Sequence, residues 1–472
     1  MINPAMSSAV IPRTAAIRTE VRALWHLAWP MLVGQLATIG MSVADVAMTG
    51  HASAIDLAAV SLGASLWSML IVTVIGIMMA INPVVAHEIG ARQLGRIPHV
   101  VRQAMWQGCG VGIIAALLLN LSTIVFNYLY LDAAVQAKAT SFVHAVSFGL
   151  PALAMFRALQ GYSTSINQTK PIMMISIAGL GFNIVGNWLL INGIAGLPKL
   201  GAVGCAVATA IGLWLMLAAM LLWIRHAPAY RPTYPFAHWE RPHWPEIRTM
   251  LKMGLPIGVT YFAEVSAFAS VGLLVARFGV VPTSAHQIAL NFSSVVFMVP
   301  MGLGIALITR VGQALGEGNP ERARFVGWVG IGVSLVFAVL SAIGIVLFRH
   351  QIASAYSNNI EVQELTASLL LFAALFQLSD ATQVAASSAI RGYKVTRMPM
   401  LIHLVAFWLI AIPLGVILGL APSWSPWSPP VAMEAQGFWI SLVIGLTVAA
   451  VLLAWFFARL SRLRIAQSVF QR

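Results

Sequence analysis

Negative charge is what this sequence has least of. Asp and Glu number 14 in 472 residues, charged residues of both signs make up 9% and hydrophobic residues 59%. That balance excludes a soluble enzyme, whose surface needs far more charge, and with a mean hydropathy of +0.86 it leaves a polytopic membrane protein. Cysteine is equally scarce. Cys109 and Cys205 fall in hydrophobic segments without CxxC or metal-ligand spacing, and read as two small buried side chains. Also missing are HExxH, GxSxG, GxxxxGK[ST] and a GxGxxG with its acidic follower. No enzyme motif and no nucleotide-binding loop remain, so transport by this chain must draw on an ion gradient, and no organic cofactor is called for.

What is present is apolar length. Taking about 20 apolar residues per crossing, twelve segments are expected: 25–48, 57–84, 101–127, 139–165, 171–194 and 201–224, then 252–276, 284–310, 325–348, 364–390, 399–420 and 436–458. With the N-terminus placed inside, 23 of the 27 Lys and Arg fall on the inner side; only Lys138, Lys199, Arg277 and Arg349 fall outside. The positive-inside rule then puts both termini in the cytoplasm of a cell, or inner, membrane. The same distribution accounts for the formal charge of +13. Basic residues spread over short inner stretches follow from topology, and a nucleic-acid partner is not expected. The first twenty residues lack an apolar core followed by an Ala-x-Ala-like cleavage site, and read as a cytoplasmic tail rather than a signal peptide.

The two halves repeat. Pro30 and Pro256, Ala59 and Ala285, and Gly90 and Gly316 are each 226 residues apart. After a four-residue slip, Pro98, Arg102, Trp106, Gly108 and Gly110 match Pro320, Arg324, Trp328, Gly330 and Gly332 at 222. Six helices per half make the repeats parallel, with sites near the midplane between them. The expected fold class is an all-α integral membrane protein of twelve helices in two six-helix lobes. The boundaries are a tail at 1–24, a first lobe at 25–226, a Pro- and aromatic-rich cytoplasmic linker at 227–247, a second lobe at 248–462 and a tail at 463–472.

Three carboxylates fall inside membrane segments: Asp45, Glu264 and Asp380. A charge at the bilayer centre costs at least about 2.5–3.5 kcal/mol, so such residues face a bundle interior or a wet cavity. Counting along the helices puts Glu264 and Asp380 at central depth and Asp45 in the outer half, with no Lys or Arg beside them as an obvious partner. Asn183 and Asn187, four apart, share one helix face. Such oxygen-rich groups suit Na⁺, or a proton held on a carboxyl group. Ser65 and Gln287 are weaker candidates of a kind common at helix interfaces, and His286 reads as structural.

Taken together, several stretches are specific: WPMLVGQLATIGMSVADVAMTG in segment 1, GARQLGR after segment 2, INQTKP after segment 4 and GFNIVGNWLLINGIAGLPKLGAVGCAVAT through segments 5 and 6. GLPIGVTYFAEVSAF, SAHQIALN, GQALGEGNPERAR and QLSDATQVAASSAIRGYK follow in the second half. In these the chain resembles the multidrug and toxic compound extrusion (MATE) family, in its NorM-type branch. The resemblance implies a cation-coupled antiporter that exports amphipathic organic cations and other drugs against Na⁺ or H⁺. It implies cation coupling at Asp45, Asn183, Asn187, Glu264 and Asp380, with Na⁺ at Glu264, Asp380 or Asp45. It implies drug contacts at Ser65, Phe268, Gln287 and Asn359; some relatives carry Asp where Asn359 stands. The partners are then small organic cations, drugs and the bilayer, and the chain is expected to act as a monomer. The rival expectation is a lipid-linked sugar flippase, whose pyrophosphate-binding cavity would be lined with Arg and Lys.

Overall fold

The computed structural model describes residues 13–128, 132–194, 196 and 198–470. Half of the expected N-terminal tail, residues 1–12, and the last two residues of the C-terminal one lie outside that set. The described residues form a helical bundle, each helix satisfying its own backbone groups, as a chain in lipid requires. The membrane helices are α1 Thr14–His51, α2 Ile55–Gly90, α3 Leu94–Tyr128, the bent pair α4 Ala133–Ser147 and Leu150–Ser165, α5 Lys170–Asn192 and α6 Ala202–His226. The second half supplies α7 Trp244–Phe278, α8 Val280–Gly316, α9 Pro320–Tyr356, α10 Ile360–Gly392, α11 Arg397–Leu420 and α12 Glu434–Val469.

All twelve expected segments correspond to these elements, and most helices run well past the apolar stretch, as α8 and α9 do. The fourth departs from a single straight crossing. Its two pieces meet at 41°, because Pro151 lacks the N–H that would bond Ser147 and Gly149 lets the chain turn against α6. A Cβ on Gly149 would lie 2.7 Å from Leu213 Cδ1. In α11 the stretch Val405–Ala411 is wound as a π-helix ahead of Pro413, and Trp408 Nε1 there donates to the carbonyl of Ala263 at 3.1 Å.

One large core joins the helices of the first half. The second half has two, one toward each end of its helices. The start of α1 packs into the second half's core through Leu24, Leu27 and Ala28, so the expected lobe boundary at residue 25 cuts through a helix that serves both halves.

The halves are joined at the end of the bundle where α1 starts and α12 finishes. Glu20 receives a paired contact from Arg310, Nε at 2.7 Å and Nη2 at 2.8 Å. Thr309 Oγ1 donates to Asn82 Oδ1 at 2.9 Å, and Gln313 Nε2 to the Ser165 carbonyl at 2.9 Å. The ends of α2 and α8 cross so closely that a Cβ on Gly90 would lie 2.0 Å from the Gln313 carbonyl oxygen, and one on Gly316 2.2 Å from that of His87. Gly90 with Gly316, and His87 with Gln313, are each 226 residues apart. The contact is therefore one between repeat-equivalent residues. Among the described residues, no side-chain hydrogen bond joins the halves beyond the depth of Gln35 and Met301.

Candidate functional site

Above that seal lies a cavity of about 400 Å³ between the halves. α1 and α2 give it Gln35, Thr38, Val72 and Ile75, while α7, α8 and α10 give it Glu264, Phe268, Phe297, Phe376 and Asp380. The wall is apolar and aromatic with a few polar groups, the composition of a site for an amphipathic ligand. Phe268 packs edge-on against Phe376 and Phe407, with ring centroids 5.9 and 5.8 Å away.

The two central carboxylates both reach this cavity, in different states of support. Asp380 is buried and accepts from Gln383 Nε2 at 3.0 Å. The Gln383 amide oxygen meets His403 Nε2 at 2.7 Å, and His403 Nδ1 donates to the Pro399 carbonyl at 2.6 Å. Glu264 has no side-chain hydrogen bond among the described residues and opens onto the cavity. An oxygen pair of this kind, one held and one free, can take up a cation or a proton from the cavity.

Basic partners are nearer than the sequence led one to expect. Arg157, from the second piece of α4, lines the same cavity as Glu264 and Asp380. Its Nη1 donates to Gln160 Oε1 at 2.8 Å, and its Nε is buried without a partner. Arg391 is buried near the end of α10 and borders a smaller pocket shared with Glu264, Gln383 and His403. Its guanidinium donates to Tyr261 Oη at 3.2 Å and lies 5.2 Å from that ring's centre. The expectation of carboxylates without basic neighbours is corrected here. Side chains lean toward the helix N-terminus, and Arg391 follows Asp380 by three turns on one face. That spacing was the available signal for Arg391; Arg157 falls inside the fourth expected segment, 139–165, but which cavity it joins depends on how the helices pack.

A second polar cluster lies nearer the unsealed end, within the first half. Asp45 Oδ1 accepts from Asn183 Nδ2 at 3.0 Å and Asn187 Nδ2 at 2.7 Å, and Oδ2 from Thr209 Oγ1 at 3.3 Å. Asn183 and Asn187 are buried, and Asn187 Oδ1 is left without a partner. The expected grouping of Asp45, Asn183 and Asn187 is thus one cluster, to which α6 adds Thr209. The carboxylate with that orphaned amide oxygen is a donor set that fits a hard cation.

The remaining sequence candidates divide. Phe268 lines the cavity, while Ser65 and Gln287 are exposed and stand outside its lining. Ser65 Oγ bonds back to the Ser61 carbonyl of its own helix at 2.8 Å. Asn359 caps α10, its Oδ1 accepting from the backbone N–H of Glu361 at 2.9 Å and Val362 at 3.3 Å, a role its side chain fills through local geometry. His286 is buried and accepts from Trp439 Nε1 at 3.2 Å, in keeping with a structural part.

A cavity walled by two repeated halves, closed at one end and reached through no nucleotide site, is that of a multi-pass membrane transporter. A model of the MatE family matches this chain twice, over residues 30–189 and 256–417. A probable multidrug resistance protein NorM of Acinetobacter baylyi is 39% identical over 441 residues, covering 93% of this chain and 96% of that protein. The multidrug resistance protein PmpM of Pseudomonas aeruginosa is 39% identical over 465 residues, covering 98% and 96%. The crystal structure of the eukaryotic MATE transporter AtDTX14 shares the fold, with a TM-score of 0.84 over 96% of this chain and 99% of that one at 22% identity. The chain belongs to the MatE family.

Proposed function

We propose that this transporter is a multidrug exporter, a cation-coupled antiporter that moves amphipathic organic cations and other drugs out of the cell against inward Na⁺ or H⁺. The observation that carries the reading is the placing of Glu264 and Asp380 in one aromatic cavity between the halves, above a closed end. A carboxylate there serves an organic cation or a coupling ion, and the two compete for the same charge. If each ligand favours a different arrangement of the lobes, the ion gradient is converted into drug flux. Each chain carries a complete cavity, which supports action as a monomer. With both termini cytoplasmic, the arrangement is the one open to the outside.

Asp45, Asn183 and Asn187 are assigned to cation coupling on their shared hydrogen bonds and the free Asn187 Oδ1, with Glu264 and Asp380 beside them in function. Phe268 is assigned to drug contact on its place in the wall. A flippase for pyrophosphate-linked sugars is disfavoured by the cavity's charge, two carboxyl groups against the single guanidinium of Arg157.

The test is efflux of a fluorescent lipophilic cation from proteoliposomes with a Na⁺ gradient or a pH gradient imposed alone. Efflux under at least one gradient is expected, and the gradient that drives it names the ion. No efflux under either would sink the reading.

A further inference from the structure

The transport cavity leaves unused a cluster at the terminus-bearing face. His99 near the start of α3, His243 just before α7 and Glu246 in the first turn of α7 each offer one ligand atom, and the three atoms lie within 4.8 Å of one another. The His99 and His243 rings meet edge-on, their centres 5.7 Å apart.

This convergence is built, because the linker is strapped to α3. Arg102 Nη1 donates to the Pro235 carbonyl at 2.6 Å and Nη2 to Glu240 Oε1 at 2.7 Å. Trp106 Nε1 donates to the Glu240 carbonyl at 3.0 Å, and Gln103 Nε2 to that of Arg241 at 3.1 Å. The Gln103 side-chain oxygen in turn accepts the His243 backbone N–H at 2.6 Å, which sets His243 one helical turn from His99. His99 Nδ1 contacts Glu240 Oε2 at 2.8 Å. A carboxylate on one imidazole nitrogen fixes the tautomer and leaves the other nitrogen's lone pair for a metal, the arrangement found behind metal-ligating histidines.

We infer that His99, His243 and Glu246 form a site for a divalent transition ion of the zinc class, and that the bound ion ties the start of α7 to α3. Two imidazoles and a carboxylate suit zinc at about 2.0–2.2 Å, with water in the fourth position, whereas calcium and magnesium prefer all-oxygen shells. Ligands of a tetrahedral ion at those lengths stand about 3.4 Å apart, a little closer than the 4.8 Å within which the three atoms already lie. His243 is exposed, which gives the ion a way in. The second half of the inference rests on the proposed transport, in which α7, carrying Glu264, moves relative to α3.

The experiment is titration of the purified full-length protein in detergent with ZnCl₂ by calorimetry, with metal content measured after desalting. One Zn²⁺ per chain is expected, bound at least about tenfold more weakly by His243→Gln and by His99→Ala, and about tenfold more weakly by Glu240→Gln. His243→Gln changes an exposed side chain, so its result does not depend on a buried contact. No stoichiometric binding by the wild type overturns the site, as does unaltered affinity in both histidine variants. In proteoliposomes, the ratio of dye efflux with and without Zn²⁺ should fall for the wild type and stay near one for His243→Gln. Zn²⁺ that binds the wild type without slowing efflux overturns the tether and leaves the site. Absence of efflux in zinc-free wild type overturns the transport reading alone, since binding is read independently.

Discussion

Glu264 and Asp380 face one cavity from different helices, and their parts differ because their hydrogen bonds differ. Glu264→Gln and Asp380→Asn should each reduce gradient-driven efflux by about 5- to 150-fold, the span of a coupling free energy of about 1–3 kcal/mol. The check is proteoliposome efflux beside a thermal-unfolding control. Asp45 is different in kind, because three side-chain donors end on it. Asp45→Ala removes the shared acceptor and leaves Asn183 and Asn187 only their longer contacts to Thr209 at 3.3 Å and to Asn183 at 3.4 Å, a loss of about 1–3 kcal/mol. The midpoint of thermal unfolding should fall by several degrees and recover in part in Asp45→Asn, read by intrinsic fluorescence. At this scale the sequence was legible where chemistry repeats along one helix, as with Asn183 and Asn187, or where a carboxylate stands in an apolar run. It was silent where packing decides. Nothing near Thr209 or Arg157 in the chain says which cluster either will join, and the polar path from Asp380 through Gln383 to His403 needs α10 and α11 side by side.

Helices show the same division. The apolar runs located every crossing, but the bend in α4 depends on Gly149 and Pro151 meeting α6, and the overhanging ends depend on polar turns that hydropathy does not register. The crossing of α2 and α8 is the element on which the seal rests. Gly90→Ala or Gly316→Ala puts a methyl group onto a carbonyl oxygen, which favours the arrangement in which this end is parted. With Cys109→Ser and Cys205→Ser as background, maleimide should label Thr309→Cys, buried in the seal, several-fold faster in either glycine variant. Gly110→Ala, where a Cβ meets nothing within 4 Å, should leave the rate unchanged. The linker gives a pH prediction. The hydrogen bond from Arg102, with that of His99, holds the Glu240 carboxyl down at about 2 against the opposing effect of burial. A carboxyl lowered in the folded state adds stability above its unfolded value near 4.5, which is lost as pH falls toward 2. Cleavage of the linker by an acid-stable protease should therefore be slow at pH 5 and rise steeply below pH 3, and Arg102→Gln should move that rise to higher pH.

For the whole molecule, we propose that an even number of crossings puts both chain ends on one side, with the Lys and Arg distribution favouring the cytoplasm. A green fluorescent protein fused after Arg472 should fluoresce and an alkaline phosphatase fused there should be inactive; the reverse pair would overturn the orientation. The same count explains why the architecture could be read so far from sequence alone, since number, length and charge asymmetry are properties of the chain. The relative placing of the halves is not. The seal between Gly90 and Gly316, with His87 and Gln313 exchanging places across it, has the form that two identical subunits make where their symmetry axis passes. A half-length chain could have closed itself against a second copy by that same contact. Fusing the copies keeps the closure and frees the walls to differ: the position equivalent to Glu264 at the 226-residue offset is Thr38, in the same cavity, and that equivalent to Asp45 is the buried Val271. The two halves thus share one closure while the walls they bring to the cavity carry different chemistry.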